Sequence, residues 1–402
     1  MLVFVINNQG KPLMPCRPAK ARLLLKEGKA TVVKRTPFTI RLQYGSSGYV
    51  QPVTLGVDSG FTYVGLSAIT ATEDVYTAEV KLRTDLVKLN SERRMYRRSR
   101  RSRKTWYRPA RFDNRRKPAG WLAPSIQHKL DSHRKLIEQV KAFLPISKVV
   151  IEVAAFDIQK IKNPDIEGTG YQNGEQTNFW NVREYVLHRD EHRCQAPGCK
   201  HRDKALNVHH LTSRQTGGDR PTNLITLCET CHDRHHRDGL DLKLKQTNGF
   251  RAETFMTSVR WRLVNETGAT HSYGYQTKSK RIALGLAKSH ANDAFVIAGG
   301  TTQQRTIPLT IQQVRRCNRK LYKGDRSHLP NTAPRFIHGF QRYYKVRYQG
   351  TECFIFGRRS TGYFDLRHLN GTKVHASAKH HQLHRLESAG TLLYERSARI
   401  AA

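Results

Sequence analysis

Four cysteines occur as two close pairs in the middle of the chain. Cys194 and Cys199 are separated by four residues, and Cys228 and Cys231 by two. Four thiolates are a ligand set that a tetrahedral structural zinc ion prefers. With no secretory signal in view, two tight pairs favour a metal site over disulfides, because a reducing cytosol keeps thiols free. We therefore expect one structural Zn²⁺ at these four cysteines.

Histidines cluster beside the same cysteines. His209 and His210 are adjacent, while His232 and His236 are four residues apart and so share one face of a helix. The 28 residues between Cys199 and Cys228 are too many for a DNA-reading finger or a usual zinc ribbon. Imidazoles can act as a general base near neutral pH and can bind a divalent cation. Those are the two groups that phosphodiester hydrolysis needs.

Acidic residues in apolar surroundings form a second candidate site. Asp58 ends the strand-like run VTLGV, and Glu152 lies inside the apolar run KVVIEVA, where a carboxylate is costly unless a cation or a partner compensates for its lost hydration. Asp293 and His290 are three apart on the predicted helix SHANDAFVIA, so both face the same side. Three carboxylates and an imidazole are enough ligands for two metal ions.

The elements that position these residues follow from the hydrophobic pattern. Three strand-like runs from Val53 onward, at hairpin spacing, predict an antiparallel meander. Apolar residues at steps of three, four or seven from Ile126 to Leu144 predict an amphipathic helix, which the buried strand at 148–154 follows. The opening residues predict a strand (LVFVI), a loop (KPLMPCRPAKA) and a helix from Ala21 to Glu27. We expect a polar, basic loop over 268–281 and a small β-rich domain from about residue 303.

Composition points to a polyanionic partner. The 402 residues include 70 Lys and Arg against 32 Asp and Glu, which gives a net charge of +38. Cationic charge of this size favours nucleic acid, since phosphate neutralisation releases counterions. Region 92–117 holds eleven arginines, and the absence of a helix breaker before Pro109 makes an arginine-rich helix plausible. The apolar run Met1–Ile6 is too short to span a bilayer, so we expect a cytoplasmic protein with no membrane partner.

The histidine and cysteine pattern resembles the HNH, or ββα-metal, nuclease motif with flanking zinc knuckles. The resemblance implies that His210 is the general base and that Asn223 orients the site. It implies that His209, His232 and His236 hold one Mg²⁺. His209 departs from relatives that have Asp at this position.

The order of the acids resembles the RuvC-like RNase H fold. In that family such acids hold two Mg²⁺ for in-line displacement at phosphorus. The resemblance implies metal ligation by Asp58, Glu152 and Asp293. For His290 it implies ligation or activation of water.

Together, these features resemble the transposon-encoded IscB family, the apparent ancestor of the CRISPR type II effectors. The resemblance covers nearly the whole chain, including KPLMP near the start and FIFGRRSTGYFDLR near the end. It implies an α/β multidomain protein: a RuvC-like RNase H fold split into three segments, an inserted HNH domain, an arginine-rich bridge helix and a small β-rich C-terminal domain. The implied domains are an N-terminal PLMP domain (1–52), RuvC segment I (53–90), the bridge helix (91–118), RuvC segment II (119–176), the HNH domain (177–243), RuvC segment III (244–302) and the C-terminal domain (303–402).

The IscB resemblance implies an RNA-guided DNA endonuclease. Its HNH site would cut the guide-paired strand and its RuvC site the displaced strand. The implied partners are a guide-bearing omega RNA and duplex DNA with a target-adjacent motif, in a monomeric ribonucleoprotein of the prokaryotic cytoplasm. The bridge residues expected to bind nucleic acid are Arg93, Arg94, Arg97, Arg98, Arg100, Arg101, Arg103, Lys104 and Arg108. Two alternatives remain: a guide-independent nuclease of the resolvase or homing type, and a non-catalytic transposon RNA-binding regulator.

Overall fold

The computed structural model describes nine stretches of the chain. They are residues 2–46, 48–104, 121–153, 186–187, 190–199, 205–211, 223–237, 251–315 and 334–396. The chain divides into two compact units. The first comprises Met1–Arg111, Gln127–Val153 and Arg260–Ala402, and the second Phe112–Ile126 and Ala154–Val259.

A small sheet opens the first unit. Its strands have the order β2-β1-β4-β3 and are β1 (Val3–Ile6), β2 (Pro12–Cys16), β3 (Ala30–Lys34) and β4 (Thr39–Leu42). The predicted helix is confirmed as α1 (Pro18–Lys26), which starts earlier than expected because Pro18 fits the first helical turn. The loop predicted over residues 11–21 is wrong. Its PLMPC segment is a strand paired with β1, and its prolines are tolerated because β2 lies at the sheet edge.

A seven-stranded sheet with the order β11-β8-β5-β6-β7-β12-β18 forms the centre of the first unit. Its strands are β5 (Val53–Ser59), β6 (Tyr63–Ile69), β7 (Asp74–Lys81), β8 (Ile146–Val153), β11 (Thr270–Tyr273), β12 (Leu309–Gln313) and β18 (Leu392–Arg396). The antiparallel meander predicted from Val53 is confirmed as β5–β6–β7. The predicted buried strand is confirmed as β8, which runs parallel to β5.

The basic loop predicted over 268–281 is wrong. Thr270–Tyr273 extends the sheet as a strand parallel to β8, and helix α6 (Gly274–Ala283) follows at once. Strand β11 has no buried residue, so its sequence lacks the apolar alternation that identifies strands. Its backbone pairing with β8 determines its conformation.

Four more helices belong wholly or partly to this unit. They are α2 (Leu86–Lys104), α3 (Pro124–Lys141), α5 (Arg251–Thr267) and α7 (His290–Ile297). The amphipathic helix predicted from Ile126 is confirmed as α3, whose buried face includes Leu130, Ile137 and Val140. Helix α7 packs on β5 and β6.

The β-rich region expected from residue 303 is divided between two sheets. Strands β12 and β18 belong to the seven-stranded sheet, and a five-stranded sheet has the order β16-β15-β14-β13-β17. These five strands are β13 (Lys345–Tyr348), β14 (Thr351–Arg358), β15 (Tyr363–Arg367), β16 (Lys373–Lys379) and β17 (His384–Glu387). The alternating aromatic and aliphatic residues form their own core, which includes Val346, Ile355 and Phe364.

The described part of the second unit is a hairpin followed by a helix. Strands β9 (Leu206–His210) and β10 (Leu224–Cys228) pair antiparallel, and α4 (Glu229–Arg237) follows β10 directly. This ββα arrangement places residues from both strands beside one helix face. Among the described residues, no helix combines the length and the apolarity that a bilayer crossing requires.

Candidate metal centres

The four paired cysteines meet at one point in the second unit. The Sγ atoms of Cys194, Cys199, Cys228 and Cys231 all lie within 4.8 Å of one another. All four are free thiols, and the Sγ atoms of Cys199 and Cys228 are 3.8 Å apart. Burial raises the pKa values of the Cys194 and Cys231 thiols. Four thiols at one point are a donor set that fits a structural zinc ion, whose charge would favour the thiolates.

Asp190 is hydrogen-bonded to strand β10, which ends at Cys228 of this cysteine cluster. Its buried carboxylate accepts a 2.8 Å hydrogen bond from the Thr226 backbone N–H on β10. Gln195 then donates its backbone N–H to the Thr226 carbonyl at 2.9 Å. These bonds hold the Cys194–Cys199 loop against β10. Sequence reasoning missed Asp190, because nothing in the sequence indicates its partner 36 residues away.

Three of the predicted histidines gather into a second group. His209 lies on β9, and His232 and His236 lie one turn apart on α4, with ligand nitrogens all within 4.8 Å. The ring centroid of His209 is 5.3 Å from that of His232 and 5.0 Å from that of His236. Burial and the neighbouring histidines lower the pKa of His209 to about 4. The imidazole is therefore neutral at pH 7, the form that binds a divalent cation.

His210 and Asn223 lie on the paired strands beside this histidine group. His210 follows His209 on β9, so successive side chains of the strand place it on the opposite face. Asn223 is 2% exposed, immediately precedes β10, and accepts the Leu211 backbone N–H on its carbonyl at 2.7 Å. The structure therefore gathers the three expected ligands and places His210 next to them in the chain.

His235 is a fourth histidine at this group, and sequence reasoning missed it. Its ring centroid is 4.6 Å from that of His209. Residues three apart on a helix share a face just as residues four apart do, so the spacing from His232 was the available signal.

The four residues of the acidic site converge in the first unit. Asp58 and Glu152 lie near the carboxyl ends of the parallel neighbours β5 and β8, and His290 and Asp293 lie in the first turn of α7. The His290 Nδ1 atom lies 2.6 Å from the Asp58 Oδ2 atom. Among the described residues, these four do not reach the mutual 4.8 Å spacing of the cysteine and histidine groups.

Burial and the charge of Asp58 raise the pKa values of the two other acids of this site. Burial and then the charge of Asp58 raise the pKa of Glu152, which Thr277 partly offsets through a hydrogen bond. Burial and the charge of Asp58 likewise raise the pKa of Asp293, whose carboxylate pairs with Arg281 at 2.9 Å. The hydrogen bond to Asp58 raises the pKa of His290. Clustered buried carboxylates that repel one another are a donor set suited to divalent cations.

Two glycines allow helix α7 to reach this site. A Cβ atom at Gly65 would lie 1.9 Å from the His290 carbonyl oxygen, and one at Gly56 would lie 2.1 Å from the Ala294 carbonyl oxygen. Gly65 is the register partner of Asp58 across β5 and β6. The glycines therefore bring the first turn of α7 against the strand that carries Asp58.

Comparison with known families gives two matches along the chain. The model of the RRXRR protein family, the arginine-rich domain of IscB- and Cas9-like proteins, matches residues 3–174. The HNH endonuclease model matches residues 192–238, the segment that holds both the cysteine and the histidine groups. The two matches together support an IscB-like protein. No curated protein matches the chain.

The two matched domains define the activity of the IscB-like protein in outline. It is a nuclease of the IscB/Cas9 type, its HNH domain is that of a DNA endonuclease, and its partners are nucleic acids. This outline agrees with the excess of basic residues. The cysteine group could bind zinc, and HNH nucleases use divalent metals.

Part of the arginine-rich segment of the IscB-like protein is a solvent-facing helix. Helix α2 runs from Leu86 to Lys104, as the absence of a breaker indicated. Its described cationic side chains are exposed: Arg93, Arg94, Arg97 and Arg98. Other expected nucleic-acid-binding groups lie outside the described residues: the side chains of Arg100, Arg101, Arg103 and Lys104, and all of Arg108.

Side chains that sequence reasoning missed surround the acidic site. The ring of Tyr63 stacks on His290, with centroids 5.4 Å apart and planes 17° apart. Arg260 donates to the Ser59 carbonyl at 2.7 Å. The ammonium of Lys129 donates to the Phe61 carbonyl, and burial lowers its pKa to about 8. They fix His290 and the turn after Asp58, but their partners are 68 or more residues away, so no local pattern reveals them.

Proposed function

We propose that this IscB-like protein is an RNA-guided DNA endonuclease that makes a double-strand break with two separate sites. The observation that carries the proposal is the pair of candidate metal centres in the two units, one built from imidazoles and one from carboxylates. Two strands of opposite polarity require two hydrolytic events, and two independent centres supply them. The domain boundaries given above are part of this proposal.

In the HNH site, we assign His210 as the general base that takes a proton from the attacking water. His209, His232 and His236 would hold the Mg²⁺, with Asn223 fixing the loop between β9 and β10. The cation would stabilise the charge that develops on the scissile phosphate. This site would cut the DNA strand that pairs with the guide.

In the RuvC-like site, Asp58, Glu152 and Asp293 would hold two Mg²⁺, and these ions would position water and phosphate for in-line displacement. His290 would either ligate a cation or accept a proton from water, since its Nδ1 atom already contacts the Asp58 carboxylate. The Tyr63 ring would hold the imidazole in place during either role. This site would cut the displaced strand.

Guidance would come from an omega RNA. Base pairing would read the target sequence, and the protein would read duplex shape and a short adjacent motif. Exposed arginines on α2 support this role, because guanidinium groups bind phosphates in a fork geometry. The RNA would supply the scaffold of a monomeric ribonucleoprotein in the prokaryotic cytoplasm.

The testing experiment begins with the chain expressed together with its native flanking DNA. After purification, the RNA that stays bound is sequenced and used to program cleavage of a labelled DNA duplex with Mg²⁺. We expect one structured RNA, and cleavage of both strands only where the target matches its guide segment. Metal-dependent cutting that needs no RNA would contradict RNA guidance and would indicate a guide-independent nuclease.

A further inference from the structure

Two imidazoles that belong to neither proposed metal centre stack face to face at the five-stranded sheet. The ring centroids of His338 and His380 are 3.8 Å apart, and their planes differ by 5°. His338 is exposed and His380 is half-buried. Because His338 is exposed, its side of the pair is accessible from solvent.

The backbone fixes the His338 side of the pair. His338 and Gly339 form a two-residue turn closed by hydrogen bonds in both directions between Ile337 and Phe340. Both central residues have positive φ, 45° and 78°, as a type I′ turn requires. The Arg358 guanidinium donates to the Arg335 carbonyl at 2.6 Å, which ties the segment before this turn to β14.

Gly362 makes room for both rings. It has φ of 84°, and a Cβ atom there would lie 2.8 Å from the His338 ring and 3.1 Å from the His380 ring. Its carbonyl accepts the His380 backbone N–H at 3.0 Å. The turn between β14 and β15 therefore leaves space for the imidazole pair because it has no side chain at this position.

The surroundings of the pair are cationic. Arg359 lies in the same turn as Gly362, and the charge of Arg342 contributes with burial to a lowered pKa of Arg358. Acidic residues within 334–396 are engaged elsewhere: Glu352 with Arg35 and Lys345, Asp365 with Arg367, Glu387 with Thr36, and Glu395 with His368. None of these four acids pairs with Arg358 or Arg359, whose guanidinium groups donate to the Arg335 carbonyl and the Ser377 hydroxyl. A phosphate would therefore not compete with a carboxylate for these two arginines.

A lowered pKa of His380 suits this arrangement. Partial burial and the neighbouring His338 and His381 lower the pKa of His380. An uncharged ring stacks on a second ring without charge repulsion. The exposed ring of Phe336, beneath the Arg335 guanidinium at 5.3 Å, adds another flat surface two residues from His338.

We propose that the pair formed by His338 and His380 is a stacking platform for one unpaired nucleobase of the bound RNA, whose flanking phosphates contact Arg358 and Arg359. Unpaired RNA bases are exposed in loops and bulges, whereas the bases of a DNA duplex are covered by their neighbours. Base stacking on flat side chains is tolerant of sequence, which suits an RNA scaffold. The inference rests on the proposed function only for the identity of that RNA.

The test uses ultraviolet crosslinking of the full-length protein to a defined probe. The probe is a single-stranded 20-nucleotide RNA containing 4-thiouridine, and the same RNA annealed to its complement is the duplex control. Crosslinked peptides are mapped by mass spectrometry, with crosslinks in α2 as the internal reference. We expect crosslinks at His338 or His380 with the single strand and not with the duplex.

Variants separate stacking from general charge. His338→Ala with His380→Ala should reduce this crosslink at least about five-fold relative to α2, the lower end for losing one stacked base. His338→Phe, which retains a ring, should keep it, as should the control His384→Ala at another exposed histidine. A crosslink that persists in the double variant, or equals that with duplex, overturns the platform. A stronger crosslink to single-stranded DNA containing 4-thiothymidine overturns the assignment to RNA.

The same measurement distinguishes this inference from the proposed function. Crosslinking at the platform without a specific copurified RNA would support the stacking platform and contradict RNA guidance. A copurified guide RNA with crosslinks only at α2 would support RNA guidance and contradict the stacking platform.

Discussion

In the second unit, seven candidate ligands come from residues 194–236, whereas in the first unit four come from positions as far apart as 58 and 293. The seven are gathered into two groups with ligand atoms within 4.8 Å. The four acidic-site residues are instead held by protein partners, such as Arg281 on Asp293 and His290 on Asp58.

The difference concerns what each site depends on. A short hairpin and one helix suffice to gather imidazoles and thiols, so a metal ion can complete that fold. The acidic site depends on the register of β5 with β8, on the close approach of α7 and on the side chains that surround the site. It should therefore be sensitive to changes that touch no candidate ligand.

Removing one key residue from each site is the strongest test of their independence. Asp58→Ala should lower displaced-strand cutting by at least about 100-fold, and His210→Ala should do so for the guide-paired strand, since each loses a group essential to its own chemistry. The other strand should be cut normally in each case. Strand-specific labelling in a denaturing gel measures both rates.

The control variants make the same two kinds of substitution at exposed positions outside both sites. Asp85→Ala removes an exposed acid that pairs with Arg83, and His384→Ala removes an exposed imidazole. Both should cut both strands at the normal rate. If Asp58→Ala or His210→Ala stopped both cuts while target binding persisted, the two sites would not act separately.

Loss of zinc should disable only the histidine site. Cys228→Ser with Cys231→Ser removes two of the four thiols, so the hairpin and α4 should lose their metal-dependent fold. We expect zinc content to fall from about one per chain towards zero, with guide-paired cutting lost and displaced-strand cutting kept. Elemental analysis and the strand-specific assay measure these. Cys16→Ser is the control, and unchanged zinc in the double variant would refute the four-cysteine site.

Adding a methyl group at Gly65 on β6 should disturb the acidic site by displacing α7. Gly65→Ala would place a Cβ atom 1.9 Å from the His290 carbonyl oxygen, so α7 must shift or the sheet must deform. Overpacking of this kind typically costs about 1–3 kcal/mol. Displaced-strand cutting should fall while guide-paired cutting persists.

Gly45→Ala is the matched control for Gly65→Ala, since a Cβ atom at Gly45 meets no atom within 4 Å. Thermal unfolding of both variants would separate general destabilisation from a local shift of α7. Equal displaced-strand cutting by the two variants would show that the helix approach is not needed.

The two sites also differ in how far sequence predicts them. The four-residue spacing of His232 and His236 predicts that they share one helix face. His209 was assigned to the same site by the resemblance to the HNH motif. Asp58 and Glu152 could be singled out because acids in apolar strands are unusual. Local sequence patterns did not show that Asp58 and Glu152 lie on neighbouring strands, because the parallel strands β5 and β8 are joined only through a long connection.

Elements without apolar alternation were the ones that sequence mispredicted. Strand β2 contains two prolines and β11 has no buried residue, yet both are completed by backbone pairing at sheet edges. Gly65 and Tyr63 have no sequence signal, because their importance lies in what the fold brings against them. Contacts between distant segments were thus the information that local patterns lacked.

The smallest predicted effect concerns α3, the helix whose Lys129 donates to the Phe61 carbonyl in the turn after Asp58. His133 on α3 is 1% exposed and shares a 2.8 Å contact between its Nδ1 atom and the Lys129 carbonyl, and burial lowers its pKa to about 4. Because an unfolded histidine has a pKa near 6.5, the unfolded chain binds this proton more tightly. The stabilisation is therefore complete above about pH 6.5 and is lost as the pH falls towards 4.

Lowering the pH from 7 to 5.5 should destabilise α3 by about 1.2 kcal/mol through this histidine. Hydrogen–deuterium exchange of α3, corrected for the intrinsic pH dependence, measures the change. His133→Gln should flatten the response, because a side chain that does not titrate takes up no proton in either state. His384→Gln, at an exposed histidine, should leave the response unchanged. An equal response in His133→Gln and the unsubstituted chain would assign the pH sensitivity of α3 to groups other than His133.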